Sequence, residues 1–447
     1  SPKLCPQCVD APNACCCRRS ERQLCDLRSA PKNCFQIWGV TLTQSTCNSC
    51  TMLNALILAT VTLAGAVLIW PRLSNAKIWR ATITPLASII GSGFLVLGPI
   101  LDVSFGGYAP FVMVGLCAVA YLFGSAIRFN IADIDRKQPS APFVNALEVL
   151  SSCVLAFAFV VSVAYYLNLF GAFGVSLTQL NDAFHANMLT SSVFLLILFT
   201  GLTRGFSALE RMEQVSVGLK LAIIAGLLLG LAVHFGDVTR QHALQFDAPQ
   251  VTGWAALTLM AGLIVTVQGF ETSRYLGGTY DAAMRVKSMR LAQLLSTGIY
   301  CLYVALLTYA FDSDPLTLDE TAIIDLMEVV APILPLLLVA AALSAQFSAA
   351  IADTNGSGGL IAEVSKGVVS EKLAYAFLVG IGLVLTWTAN IFEIISYASR
   401  AFALYYALQS AIATIRAARS GYPVRTAVFA MLALLGFTIA MFGTPVE

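Results

Sequence analysis

Residues 81–101 read ATITPLASIIGSGFLVLGPIL. The stretch is apolar and long enough to cross a bilayer, whose hydrocarbon core takes about 20 helical residues. Yet Gly91-Ser92-Gly93 stands at its middle, between Pro85 and Pro99. Irregular backbone at membrane depth is tolerated only where it is buried in protein or lines a cavity. A second interrupted stretch lies at 254–273, WAALTLMAGLIVTVQGFETS, where Thr266, Gln268, Gly269 and Glu271 break an apolar run. Paired breaks at corresponding places in two halves of a chain point to a transporter's binding site.

The composition around these stretches agrees. The 447 residues hold 58% hydrophobic and only 11% charged side chains, with a mean hydropathy of +0.78. A soluble domain carries about 25% charge, so this chain cannot cover a water-facing surface. That excludes a nucleic-acid binder, a disordered scaffold and a cytosolic enzyme. The net charge of +1 says nothing about partners.

Twelve apolar runs follow from Thr51, at about 51–71, 81–101, 107–129, 146–170, 188–203, 214–235, 254–273, 291–311, 329–352, 373–391, 393–415 and 424–443. They are continuous rather than alternating, which excludes a closed strand barrel. The expected fold is an all-α polytopic membrane protein. It has a Cys-rich head at 1–50, one extra transmembrane helix at 51–71 and a transporter core at 77–447. The breaks fall in the second and seventh helices, the spacing of a five-plus-five inverted repeat preceded by one helix.

Charge predicts the orientation. With the loop after the first helix inside, alternate loops carry Arg72, Lys77 and Arg80; Arg128, Arg136 and Lys137; Arg204 and Arg211; Arg274, Arg285, Lys287 and Arg290; Lys366 and Lys372; and Arg416, Arg419 and Arg425. The opposite loops carry Arg240 alone, and the outer loop at 312–328 is acidic. The head then faces outward, in what is expected to be a bacterial inner membrane. The chain starts at Ser1, which fits a cleaved signal peptide as well as trimming of the chain.

The chemistry of the breaks suits a zwitterion. Freed N–H groups at Ser92 and Gly93 open a half-helix whose positive dipole end attracts a carboxylate, with Gly91 allowing the turn. Freed carbonyls near Gln268 and Gly269 suit an ammonium group. The structural alternative is that the glycines only allow close helix packing. Glu271 is expected to face a substrate amine, carry a proton, pin the hinge, or pair with Arg274 at i+3. Lys220, inside the run 214–235, either switches with protonation or snorkels to the inner surface. Ser344 and Ser348 share a helix face that suits an ion site, unless each bonds a carbonyl of its own helix. Tyr165 and Tyr166 suit a substrate gate or an interfacial belt. Arg400 pairs with a carboxylate or binds carbonyls. No HExxH, P-loop or nucleophile-elbow motif occurs, so no hydrolytic or phosphoryl-transfer site is expected.

SIIGSGFLVLGPIL resembles the first core helix of amino acid–polyamine–organocation (APC) permeases, with their IGSG signature. TVQGFETSRYL resembles their sixth core helix with its Gly-Phe-Glu, and SVGLKLAIIAGLLLG their fifth. The resemblance runs from about 77 to 443. It implies alternating access, with Gly91, Ser92, Gly93, Gln268, Gly269, Phe270, Glu271 and Tyr165 around the substrate. It also implies Lys220 in the place a sodium ion takes in sodium-coupled relatives, bridging the first and eighth core helices beside Ser344 and Ser348. The added first helix and the Cys-rich head are not features of that family.

Nine of the twelve cysteines lie in the head: Cys5, Cys8, Cys15, Cys16, Cys17, Cys25, Cys34, Cys47 and Cys50. So dense a segment needs staples. An outward head predicts disulfides; a cytosolic one would favour zinc or an iron–sulfur cluster on the two CxxC pairs. No other cofactor is expected. The expected function is secondary transport of a small organic solute, an amino acid or amine, coupled to protons or by exchange. The rival is a non-transporting membrane subunit whose head docks a protein partner.

Overall fold

The computed structural model describes residues 36–37, 40–41, 44–91, 93–134, 142–203, 206–275, 280–312 and 322–443, with the backbone alone for 36–37, 40–41, 44–50, 134, 206–215, 265, 275, 355 and 363. Ser92 lies outside the described residues, as do the side chains of all nine head cysteines. The chain divides into two units, Ser1–Thr51 and Met52–Glu447. In the first, β1 (Gln36–Ile37) pairs antiparallel with β2 (Val40–Thr41).

Among the described residues the second unit has helices and no strand. In chain order the helices are α1 (Gln44–Ile69, begun in the first unit), α2 (Pro71–Ser74), α3 (Lys77–Ile89), α4 (Gly93–Phe105), α5 (Ala109–Ile134), α6 (Pro142–Ser176), α7 (Ala183–Thr203) and α8 (Phe206–Arg240). There follow α9 (Gly253–Gly262), α10 (Thr272–Tyr275), α11 (Ala282–Thr308), α12 (Ala322–Val330), α13 (Leu334–Val364), α14 (Glu371–Thr388), α15 (Ile391–Arg419) and α16 (Pro423–Phe442). Among the described residues nine spans are long and apolar enough to cross a membrane. One of these, Gly93–Asp133, runs α4 and α5 together; taking α5 by itself, the pairs α3/α4 and α9/α10 and the more polar α15 make up the twelve runs.

Both breaks fall where the sequence places them. The first helix stops at Ile89 and restarts at Gly93. The second stops at Gly262, runs through a 3₁₀ turn at Ile264–Val267, and resumes at Thr272. One element was not legible: α12 lies within what reads as an acidic outer loop and the start of the next span. It forms because Ala322, Ile323, Leu326, Met327 and Val330 recur at helical spacing and are buried, while Asp325 and Glu328 stay outward.

The chain is most deeply buried around the first break. α4 is buried along its whole length, whereas α1, from Met52 onward, leaves Met52, Leu63, Val67 and Ile69 exposed. In a bilayer such a face meets lipid rather than water, so exposure carries no penalty there.

Candidate transport site where two broken helices cross

A break in lipid must find partners for the backbone groups it frees. Here side chains from neighbouring helices supply them. On the first broken helix, the Ala87 carbonyl accepts from Lys220 Nζ at 2.7 Å and the Ile89 carbonyl from Tyr300 Oη at 2.9 Å. Pro99 lacks the N–H that would reach back to Leu95. Tyr303 Oη takes that place, 3.2 Å from the Leu95 carbonyl. It passes over Gly98, where a Cβ would stand 2.5 Å from the same hydroxyl.

The second break is treated likewise. The Gly262 carbonyl accepts from Ser399, the Leu263 carbonyl from Thr266 Oγ1 at 2.6 Å and the Thr266 carbonyl from Tyr300 Oη at 2.8 Å. Tyr300 therefore joins both breaks with one hydroxyl proton shared between two carbonyls.

The breaks also touch directly. A Cβ on Gly93 would lie 2.7 Å from Thr266 Cβ, and one on Gly269 would lie 2.5 Å from the Ser88 carbonyl carbon. Gly269 has φ +116°, a conformation that only glycine enters readily. Gly91 has a different neighbour: α13 passes it at Ala349, 3.8 Å from where its Cβ would be.

Glu271 is 0% exposed. Its Oε2 accepts from the Gly269 N–H at 3.1 Å and from Tyr406 Oη at 2.9 Å. Its Oε1 has no hydrogen-bond partner among the described residues. Gln268 donates to Tyr166 Oη at 2.8 Å, and its Oε1 is likewise buried and unpartnered among them. The Gly269 carbonyl, expected to be open to an ammonium group, already accepts from Thr272 Oγ1 at 2.7 Å. Phe270 stacks on Tyr406 with centroids 5.1 Å apart, and Phe123 stacks on the same ring at 5.2 Å.

The remaining expectations resolve as follows. Lys220 is 1% exposed and holds the carbonyl of α3 just before the break, so it does not snorkel. Tyr165 and Tyr166 are buried beside each other, 5.4 Å between ring centroids, so they do not form an interfacial belt. Ser348 donates to its own helix at Ala345, 3.1 Å, and Ser344 is only half-buried; the two serines are not seen to gather on Lys220. Arg400 donates to the Ala440 carbonyl at 2.8 Å, the structural role. Arg274 pairs with Glu148, whose other oxygen lies 3.2 Å from Arg416 Nη2. Arg416 Nε in turn lies 3.3 Å from Asp133. This cluster ties α10, α6, α15 and α5 together at one end of the bundle.

The sequence reading passed over several polar residues. Asp353, 1% exposed, accepts from Ser162. Asp102 is 0% exposed and faces the Thr308 hydroxyl. Tyr300, Tyr303 and Tyr406 read as ordinary apolar-helix aromatics. The cue for Tyr303 was present: a Gly-Pro pair in a membrane helix frees a carbonyl that some neighbour must meet.

Comparison with known proteins settles the family. An APC superfamily transporter family matches residues 71–443. The chain belongs to the APC superfamily of transporters. An uncharacterized protein of Aquifex aeolicus (strain VF5) is 39% identical over 390 residues, 84% of this chain and 93% of the relative. The family match begins at Pro71, so the head and α1 fall outside it. In this APC transporter the matched region contains both breaks, Lys220 and the whole charged cluster.

Proposed function

We propose that this chain is a secondary active transporter of a small organic solute, an amino acid or amine, working by alternating access. The observation that carries this reading is the crossing itself. Two interrupted helices touch at Gly93–Thr266 and Ser88–Gly269, and the buried Gln268 Oε1 and Glu271 Oε1 remain open beside them. Unsatisfied acceptors in a dry interior are costly unless something binds them. A substrate ammonium group meets that need, and the half-helix start at Gly93 meets a carboxylate. Tyr300 and Lys220 hold the breaks closed; releasing those bonds opens the path.

Coupling follows from Lys220. Protonated, it ties α8 to α3 through the Ala87 carbonyl; neutral, it lets them part. The test is uptake of a panel of radiolabelled amino acids and amines by proteoliposomes of the purified protein, with and without a pH gradient. Accumulation of none of them would remove the reading.

For residues 1–50 the reading is an exoplasmic, disulfide-stapled head in a bacterial inner membrane, where a protein partner docks. Stoichiometric zinc or iron in the purified protein would overturn the disulfide assignment.

A further inference from the structure

Asp102 is the one acid on α4, the half-helix that follows the first break. It lies within a membrane span and is buried, its side chain facing the Thr308 hydroxyl of α11. Among the described residues no basic side chain pairs with it. The charged groups that face it, Asp247 and Asp312, are acids too. Of the other elements packed on α4, α11 brings Tyr303 near it, α12 keeps Asp325 and Glu328 exposed, and Tyr108 is exposed. The start of α5 and the Ile264–Val267 turn carry no titratable group. A carboxylate in a dry interior without a cation is costly, and such a group takes up a proton instead.

A strap of chain fastens this end of α4. Between α8 and α9, the Gln250 and Val251 N–H groups donate to the Ser104 carbonyl at 3.1 and 3.0 Å, and the Asp247 carbonyl accepts from the Gly107 N–H at 3.0 Å. Gly106 permits the approach: its φ is +50°, and a Cβ there would stand 2.3 Å from the Asp247 carbonyl oxygen. The Gln245 N–H donates to the Tyr309 carbonyl at 3.2 Å, next to Thr308. The strap's only other titratable side chain, His242, is exposed. The strap therefore ties α4 to α11 beside Asp102, and it leads directly into α9, the half-helix before the second break.

We propose that Asp102 is a proton-binding residue of the transport cycle, neutral while α4 and the strap lie closed on α11 and ionised when they part. On opening, one proton passes from the carboxyl to entering water. The carboxylate left behind opposes closure, because closing would return it to an apolar setting beside Asp247 and Asp312, until a proton returns. Lys220 grips the half-helix before the break; Asp102 lies on the half after it. The place of this proton in a cycle rests on the transport reading, whereas the neutral carboxyl and the strap do not.

The test uses the full purified chain. Infrared difference spectra across a pH titration should contain a protonated-carboxyl band that D102N removes and E271Q keeps. Amide exchange at Gly107, Gln250 and Val251, corrected for its intrinsic pH dependence, should rise as that band is lost. In D102N it should stay at its low-pH level. Thr308→Val, which removes the facing hydroxyl, should move the midpoint of the band. In proteoliposomes given the panel of radiolabelled amino acids and amines, D102N should lose accumulation driven by a pH gradient and keep substrate exchange. A titration without a D102N-sensitive band would overturn the proposal, and so would wild-type, pH-driven accumulation by D102N. If D102N does not fold, a band midpoint unmoved in Thr308→Val overturns it. Wild type that moves none of the panel would remove the transport reading and with it the cycle, while the band and the strap's exchange still decide whether Asp102 holds a proton.

Discussion

Gly269 and Ser88 meet backbone to backbone: a Cβ on Gly269 would stand 2.5 Å from both the Ser88 carbonyl carbon and its Oγ. Two distant parts of the chain are thereby fixed against each other at the breaks. The position is doubly intolerant, because Gly269 also has φ +116°. Overpacking costs about 1–3 kcal/mol, and a strained backbone about as much again. Gly269→Ala is expected to destabilise the purified protein by about 2–5 kcal/mol and to stop uptake. A thermal melt superimposable on wild type would contradict the crossing.

Tyr300→Phe keeps the ring against Phe94 but removes the donor to Ile89 and Thr266. A buried carbonyl left without its partner costs about 1–3 kcal/mol. The melt should fall accordingly, and the two breaks should exchange amide hydrogens faster. Tyr303→Phe, which frees Leu95 alone, should accelerate exchange in α4 only. Identical exchange maps for the two variants would refute the division of labour.

Lys220→Ala should fold, because the change removes a charge from an apolar setting. It should abolish accumulation driven by a pH gradient. Substrate exchange without a gradient should survive, since the binding groups lie on the breaks. Wild-type, pH-driven uptake by this variant would make the lysine a structural tie alone.

Glu148 holds both Arg274 and Arg416. Glu148→Gln removes the carboxylate shared by Arg274 and Arg416, while Arg416 keeps Asp133, and removing one partner of a buried pair costs at most about 3–5 kcal/mol. The closure of α10 on α6 and α15 should weaken. A cysteine placed at Ser151, where Gln409 donates at 2.8 Å, should then react faster with a membrane-impermeant maleimide in inside-out vesicles. Unchanged labelling would show that the cluster only braces the fold.

The sequence by itself determined the membrane body, the twelve apolar runs and the positions of both breaks, because each is a local property. Twenty apolar residues span a bilayer wherever they occur, and Gly-Ser-Gly flanked by prolines lowers the local cost of interrupting a helix. The family was legible for the same reason, in IGSG and Gly-Phe-Glu. What the tertiary structure decided is how the breaks are satisfied. Lys220 was visible as a buried charge, but only packing shows that it reaches the Ala87 carbonyl and that Ser348 turns back to Ala345. Arg274 sits three residues from Glu271, a helical spacing, yet it pairs with Glu148. The chain runs through an irregular turn there, and i,i+3 neighbours meet only on a continuous helix. Tyr300, Tyr303 and Tyr406 were not singled out, since nothing local distinguishes a hydroxyl that meets a distant carbonyl or carboxylate. A freed backbone group announces itself in sequence; the side chain that answers it is chosen by the packing of other helices.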